Sequence, residues 1–233
     1  MEEFMTASFW LAVGQIIMID ILLGGDNAVV IALACRNLPP KLRTQGIVYG
    51  TVGAIVIRVI LIAFALALLA IPYLKIVGAV LLLWIGVKLL QPESDGDHHI
   101  SSSDKLWGAV KTVIIADLVM SVDNVLAIAG AAQGAGQQHQ LPLVIFGLLV
   151  SIPIIVWGSQ IVLRLMERFT LIITLGAMLL GWIAGQMAYS DPALKAYLPA
   201  STYWSYAAAV TGALFVLATS KMMRHHQKST ESA

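Results

Sequence analysis

The sequence is poor in charge. Only 12% of its residues are Asp, Glu, Lys or Arg, against roughly 25% in an average soluble domain. It has a single cysteine, Cys35, so no intrachain disulfide can form and a disulfide-stapled scaffold is excluded. Net charge is +1, which leaves no basic footprint for nucleic acid. No low-complexity polar tract of the kind that marks disordered chains dominates it. The first ten residues, MEEFMTASFW, carry two acids and no basic cluster, so they do not look like a cleaved signal peptide. The first apolar segment is therefore expected to be kept as a membrane helix.

What is abundant is apolar surface. Hydrophobic residues make up 59% of the chain, and the mean hydropathy is +0.86. A soluble fold of this size could not bury so much. A spanning helix needs about 20 mostly apolar residues. Seven segments qualify: Ser8–Cys35, Gly46–Leu69, Pro72–Leu90, Leu106–Ala132, Leu141–Leu163, Thr170–Tyr189 and Tyr203–Met223. The breaks carry turn chemistry, such as Arg36-Asn37-Leu38-Pro39-Pro40 and Ile71-Pro72. Arg164, Glu167 and Arg168 split the fifth and sixth segments. The expected class is an all-α polytopic membrane protein.

Basic residues fix its orientation. With seven spans, Lys75 and Lys195 fall on one side. Arg36, Lys41, Arg43, Lys88, Lys105, Lys111, Arg164, Arg168, Lys221, Arg224 and Lys228 fall on the other. The N-terminus is expected outside and the C-terminus in the cytoplasm of an inner membrane. The polar stretch Gln91–Asp104 reads as a cytoplasmic linker. His98 and His99 within it, like His225 and His226 in the basic tail, read as solvated residues rather than metal ligands.

An internal repeat is visible. Asp20-Ile-Leu-Leu-Gly-Gly-Asp26-Asn27 aligns with Asp117-Leu-Val-Met-Ser-Val-Asp123-Asn124, and Tyr49-Gly50 with Phe146-Gly147 at the same offset. Gly78-Ala79 through Trp84-Ile85 aligns with Gly176-Ala177 through Trp182-Ile183, one residue further along. Three helices are thus duplicated and the seventh is added. Three is odd, so the second copy is expected to enter the membrane from the opposite face, a 3+3 inverted repeat. The expected organisation is a first unit over 1–90, a linker over 91–105, a second unit over 106–190, and a seventh helix with basic tail over 191–233.

Four carboxylates fall inside predicted spans: Asp20, Asp26, Asp117 and Asp123. Each costs roughly 2.5–3.5 kcal/mol at the bilayer centre, so together they call for compensation on the order of 10 kcal/mol. They must be protonated, paired, or gathered around a cation. At about 100° per residue, Asp20 and Asn27 share a helix face, as do Asp117 and Asn124. Asp26 and Asp123 lie roughly 120° away. A cluster of all six needs a distorted helix or approach from two sides. Gly24-Gly25 offers a break in the first copy, while Ser121-Val122 stands there in the second. Carboxylate and amide oxygens suit hard divalent cations such as Mg²⁺, Ca²⁺ and Mn²⁺. The motifs hold no His or Cys, which disfavours zinc. Met18 and Met120 lie close by in sequence and read as packing, with soft-metal ligation as the less favoured role. Arg58, mid-span in the second helix, reads first as a structural residue that snorkels or makes a fixed ion pair, and second as the group that neutralises a carboxylate when no cation is bound; its counterpart in the second copy is Ile155.

At Gly24-Gly25-Asp26-Asn27-Ala28-Val29-Val30-Ile31-Ala32 and Ser121-Val122-Asp123-Asn124-Val125-Leu126-Ala127, with Asp20 and Asp117 upstream, the sequence resembles the TerC family of integral membrane proteins, in its smaller bacterial branch. The family takes its name from an association with tellurite resistance. The resemblance implies Mn²⁺ efflux. It carries a metal role onto Asp20, Asp26, Asp117 and Asp123, and onto Asn27 and Asn124. The expected function is alternating-access transport of a divalent cation, Mn²⁺ first, with no prosthetic group. Competition between protons and cation for the same carboxylates gives a route to proton coupling. The alternatives are a Ca²⁺ or Mg²⁺ transporter and a non-transporting scaffold for metal loading or assembly. An enzyme is not expected, since no Ser or Cys nucleophile with a nearby His accompanies the acids. The expected partners are the metal ion and membrane lipid. Gly-rich faces could pack within or between chains, so a homo-oligomer stays open.

Overall fold

The computed structural model describes residues 14, 17–18, 25–64, 71–91, 101–133, 140–195, 197–198 and 201–231, with side chains except at 63, 123–133, 140–144, 195 and 224–231. The described regular structure is entirely helical. It comprises α1 (Gly25–Cys35), α2 (Pro40–Ala63), α3 (Leu74–Leu90), α4 (Ser102–Gln133), α5 (Gln140–Arg168), α6 (Thr170–Tyr189) and α7 (Thr202–Glu231), with a single turn at Pro192–Lys195. Among the described residues, four helices are long and apolar enough to cross a membrane: Pro40–Ile62, Ile145–Arg168, Thr170–Tyr189 and Thr202–Met223. Of the first predicted segment, only residues 14, 17–18 and 25–35 are described, and most of the predicted linker lies outside the described residues.

Several boundaries differ from the sequence expectation: α4 begins at Ser102 and not Leu106, and α7 runs to Glu231 and not Met223. The helix expected from Gly46 begins at Pro40. Pro39 is extended (φ −51°, ψ 143°), and Pro40 takes the first turn, where a missing N–H costs nothing. The charges expected to separate the fifth and sixth segments lie instead in the last turns of α5, which runs to Arg168. The break is Phe169 alone, with extended backbone (φ −132°, ψ 97°). Basic residues at a helix C-terminus are favourable there and do not end the helix.

The helices alternate in direction. The N-terminal turns of α2 and the C-terminal turns of α5 meet at an ion pair between Arg43 and Glu167. Arg43 Nε also donates to the Leu38 carbonyl at 2.9 Å, closing the α1–α2 turn. Gln91, just after α3, reaches Met223 near the end of α7, with Nε2 3.1 Å from the sulfur. Lys88 lies over the Trp84 ring, 5.0 Å from its centroid, and Tyr49 stacks on Trp107 at 6.4 Å. Paired amphipathic aromatics and snorkelling basic residues suit a membrane–water boundary.

Burial is reversed relative to a soluble bundle. Val52, Val56, Ile60 and Phe64 form an exposed stripe along α2, and Leu149, Ile154, Trp157, Ile161 and Leu165 do so on α5. Arg58, Asp117, Ser121, Ser151 and Ser159 are buried. Such a distribution fits lipid outside and polar groups satisfied within.

Helices that align in the sequence turn aligned residues inward. Gly50, Thr51, Ala54 and Arg58 of α2 are buried, and so are their counterparts Gly147, Leu148, Ser151 and Ile155 of α5. Gly78, Ala79, Leu82 and Gly86 of α3 correspond to buried Gly176, Ala177, Leu180 and Ala184 of α6. α1 lies in the middle. Ala28, Val30, Ile31, Ala32 and Leu33 are all buried, and a helix apolar on every side is a core helix. A Cβ on Gly176 would come within 2.8 Å of Val29, which shows how closely α6 packs on α1.

α7 packs most closely on α6. Gly181 and Gly185 face Gly212 and Ala208, and a Cβ on any of the three glycines would strike backbone of the opposing helix. This is the small-xxx-small pattern by which membrane helices approach at backbone distance. Trp182 and Tyr206 pack across the same seam, with centroids 5.9 Å apart. Val216 of α7 also reaches Val87 and Leu90 of α3, so α7 bridges α3 and α6.

The far end is closed by Asp191, which is shielded from solvent. Its Oδ1 accepts from the backbone N–H of Tyr73 (3.0 Å) and Ala193 (2.8 Å). Its Oδ2 accepts from Lys75 (3.1 Å) and Ile76 (3.2 Å). One carboxylate thus caps both α3 and the turn at Pro192–Lys195. Tyr73, in the left-handed region at φ 67°, has no capping side chain of its own. Burial pushes the Asp191 carboxyl upward, but four backbone N–H donors outweigh it and hold the group below the ordinary carboxylate range.

Two predictions follow from these contacts. Gly185→Ala and Gly212→Ala should each destabilise the protein by about 1–3 kcal/mol, read as a lower melting temperature in detergent. Gly108→Ala, where a Cβ meets nothing within 4 Å, should be neutral or slightly stabilising. Equal melting temperatures for all three would refute the close crossing. Asp191→Asn should cost about 1 kcal/mol at neutral pH, as loss of a cap does. Because the folded-state pKa is depressed, that difference is fully present above the unfolded value of about 3.9 and should shrink as pH falls below about 4. A difference that persists at pH 3, in melts of wild type and variant, would contradict the charge-based cap.

Candidate functional site

The polar interior is built where α1, α2 and α4 meet. α4 places Asp117 and Ser121 one turn apart, so they share a face. α2 delivers Arg58 opposite them. Arg58 Nη2 lies 2.5 Å from Asp117 Oδ1, and Arg58 Nε donates to Ser121 Oγ at 3.1 Å. The Ser121 hydroxyl donates to Asp117 Oδ2 at 3.0 Å, closing a three-membered network. All three residues are buried; Arg58 is only 2% exposed. Burial without a partner would be prohibitive for the guanidinium, and each carboxylate oxygen here has its own donor.

α1 contributes Asp26 and Asn27. Asp26 is half-buried, and its Oδ1 accepts the Asn27 backbone N–H at 2.8 Å. It stands within electrostatic reach of both Asp117 and Arg58. Asn27 is 3% exposed, and its Oδ1 and Nδ2 have no hydrogen-bond partner. Leaving such a buried group unpaired costs about 1–3 kcal/mol, so its carbonyl and amine stand ready for a ligand.

Of the six residues singled out in the sequence, the structure therefore brings Asp26 and Asp117 into one electrostatic neighbourhood, with Asn27 beside Asp26. Asp20 lies outside the described residues. Asp123 and Asn124 continue the helix of α4, and their side chains lie outside the described ones. Gly24, half of the expected break, is also outside them; Gly25 is the first described residue of α1. Among the described residues, no three His, Cys, Asp or Glu side chains cluster to hold a metal ion. Met120 is buried in the core with Val119 and Val122, whereas Met18 is 55% exposed, so the two methionines do not share a site.

Ser121 was not anticipated as a functional side chain. Its position four residues after Asp117 was the available signal, because that spacing puts a hydroxyl beside the carboxylate on any helix. The role of Asp191 was likewise hidden, although Asp-Pro before a short helix is an N-cap signature.

Residues 5–228 match the integral membrane protein TerC family. The chain is 44% identical over 183 residues to the uncharacterized membrane protein YjbE of Bacillus subtilis, covering 78% of this chain and 81% of that one. It is 27% identical to YceF of the same organism, over 78% and 72% of the two chains. It is 23% identical to the inner membrane protein YoaE of Escherichia coli, over 75% of this chain but only 36% of that longer one. No solved structure matches. The family match spans both Asp-Asn motifs and all seven described helices, and the chain belongs to the integral membrane protein TerC family.

Proposed function

We propose that the protein carries a divalent cation, Mn²⁺ before Ca²⁺ or Mg²⁺, out of the cell across the inner membrane by alternating access. The observation that carries this reading is that Asp26 and Asp117, one from each aligned motif, stand within electrostatic reach of each other in an apolar bundle. Anionic oxygens from two helices, with the unpaired Asn27 amide beside them, form the donor set a hard cation takes. Asp20, Asp123 and Asn124 would complete it from the remaining motif positions. Carboxylates in a spanning bundle mark ion pathways by default.

In this reading the chain crosses the membrane seven times, as two inverted three-helix units, 1–90 and 106–190, followed by α7. Alternating helix directions and the matching buried faces of α2 with α5 and α3 with α6 support it. The excess of Lys and Arg near the Arg43–Glu167 end supports a cytoplasmic placement of that end and of the C-terminus. The protein acts as a carrier and not as an enzyme, with lipid as its surroundings and the cation as its cargo. Protons returning through Asp26 and the other motif carboxylates not paired with Arg58 would drive export.

Purified protein in liposomes should move Mn²⁺ down a gradient, and Asp26→Asn and Asp117→Asn should each reduce that flux by about tenfold or more, as loss of a liganding charge does. Mg²⁺, Ca²⁺ and Zn²⁺ added as competitors would rank selectivity. Folded wild-type protein that moves none of these ions would overturn the transport reading and favour a scaffold.

A further inference from the structure

Arg58 is a full positive charge inside a site proposed to bind a divalent cation. It occupies the position a bound cation would compete for: Nη2 sits on Asp117 Oδ1, while Oδ2 is taken by the Ser121 hydroxyl. Asp117 therefore has both oxygens committed. A divalent ion cannot share Oδ1 closely with a guanidinium, because like charges at that spacing repel strongly in a dry interior.

The guanidinium has a second anchor. Its Nε donates to Ser121 Oγ, independently of the bond that Nη2 makes to the carboxylate. Releasing Asp117 would leave Arg58 held in place, one bond away from return. The pair also joins the two copies, since Arg58 stands on α2 and Asp117 on α4. The equivalent position in the other copy is Ile155, buried and apolar, so the device exists once per chain.

We propose that Arg58 is a tethered stand-in for the transported cation: it neutralises Asp117 whenever no cation does, yields that carboxylate to an arriving ion, and retakes it on release. This rests on the transport reading above. Arg58 is thus a positioning residue that lets the unloaded carrier reorient without an uncompensated carboxylate in the bilayer. A fixed structural ion pair would serve loaded and unloaded carriers alike. A stand-in is needed only on the unloaded return.

That difference is measurable in proteoliposomes of the full chain, using Mn²⁺ alone. Tracer exchange at equal Mn²⁺ on both sides needs only the loaded carrier, whereas net flux down a gradient needs the unloaded return. Arg58→Met should lower the ratio of net flux to exchange about tenfold or more, whatever its absolute exchange rate. Ser121→Ala keeps both charges and removes only the second anchor. It should lower the ratio of net flux to exchange about threefold or more, and it carries the test if Arg58→Met fails to fold. An unchanged ratio in the folded variants, whether both rates fall together or neither falls, would overturn the proposal. Wild-type protein showing neither exchange nor net flux would instead remove the transport reading itself.

Discussion

A guanidinium in hydrocarbon must have an anion beside it, and much of this fold can be read as the means of keeping that anion in place. Arg58 and Asp117 come from helices nearly 60 residues apart in sequence, |i−j| = 59. Removing either one would strand the other, at about 3–5 kcal/mol. The bond therefore ties α2 to α4 whenever Arg58 holds the carboxylate. Ser121 completes the arrangement by giving the second carboxylate oxygen a donor and the guanidinium a second acceptor. Among the described residues each member of the network has a partner, which is the condition for a polar cluster to survive in an apolar interior.

Around that cluster the ordinary rules of burial are turned outward. Many large apolar side chains of α2, α5 and α7 face away from the bundle, and glycines allow close approach at the seam of α6 with α7. Water-driven collapse cannot order helices already surrounded by lipid, so shape and hydrogen bonding decide the arrangement. α1 shows the result most plainly: it is enclosed on every side and carries the Asp26–Asn27 pair into the centre.

Much of this was legible in the sequence because membrane proteins write their constraints in hydropathy. Carboxylates inside apolar runs, the twofold Asp-Asn motif and the family resemblance all stood in the linear text. The inward faces of α3 and α6 follow the same aligned residues that disclosed the repeat. Boundaries were less legible. Pro39-Pro40 looks like a break, yet a proline at the first helical position opens a helix. Arg164, Glu167 and Arg168 look like a loop, yet long charged side chains can leave a helix end for water without ending it. Long-range partners were not legible at all. Asp191 meets the first turn of α3 from 115 to 118 residues away, and no local pattern encodes which N–H groups it will find.

The crossing of α6 and α7 has a thermal consequence. Its backbones meet through Gly181, Gly185 and Gly212, with almost no side chain between them. Such a contact releases little structured water, because lipid, not water, covered these surfaces beforehand. Its strength comes from dispersion between close-packed atoms and from weak C–H···O contacts. It therefore lacks the heat-capacity signature of hydrophobic burial, and it should not loosen on cooling as a water-driven seam does. α7 is thus attached to α6 by a contact that cooling does not weaken.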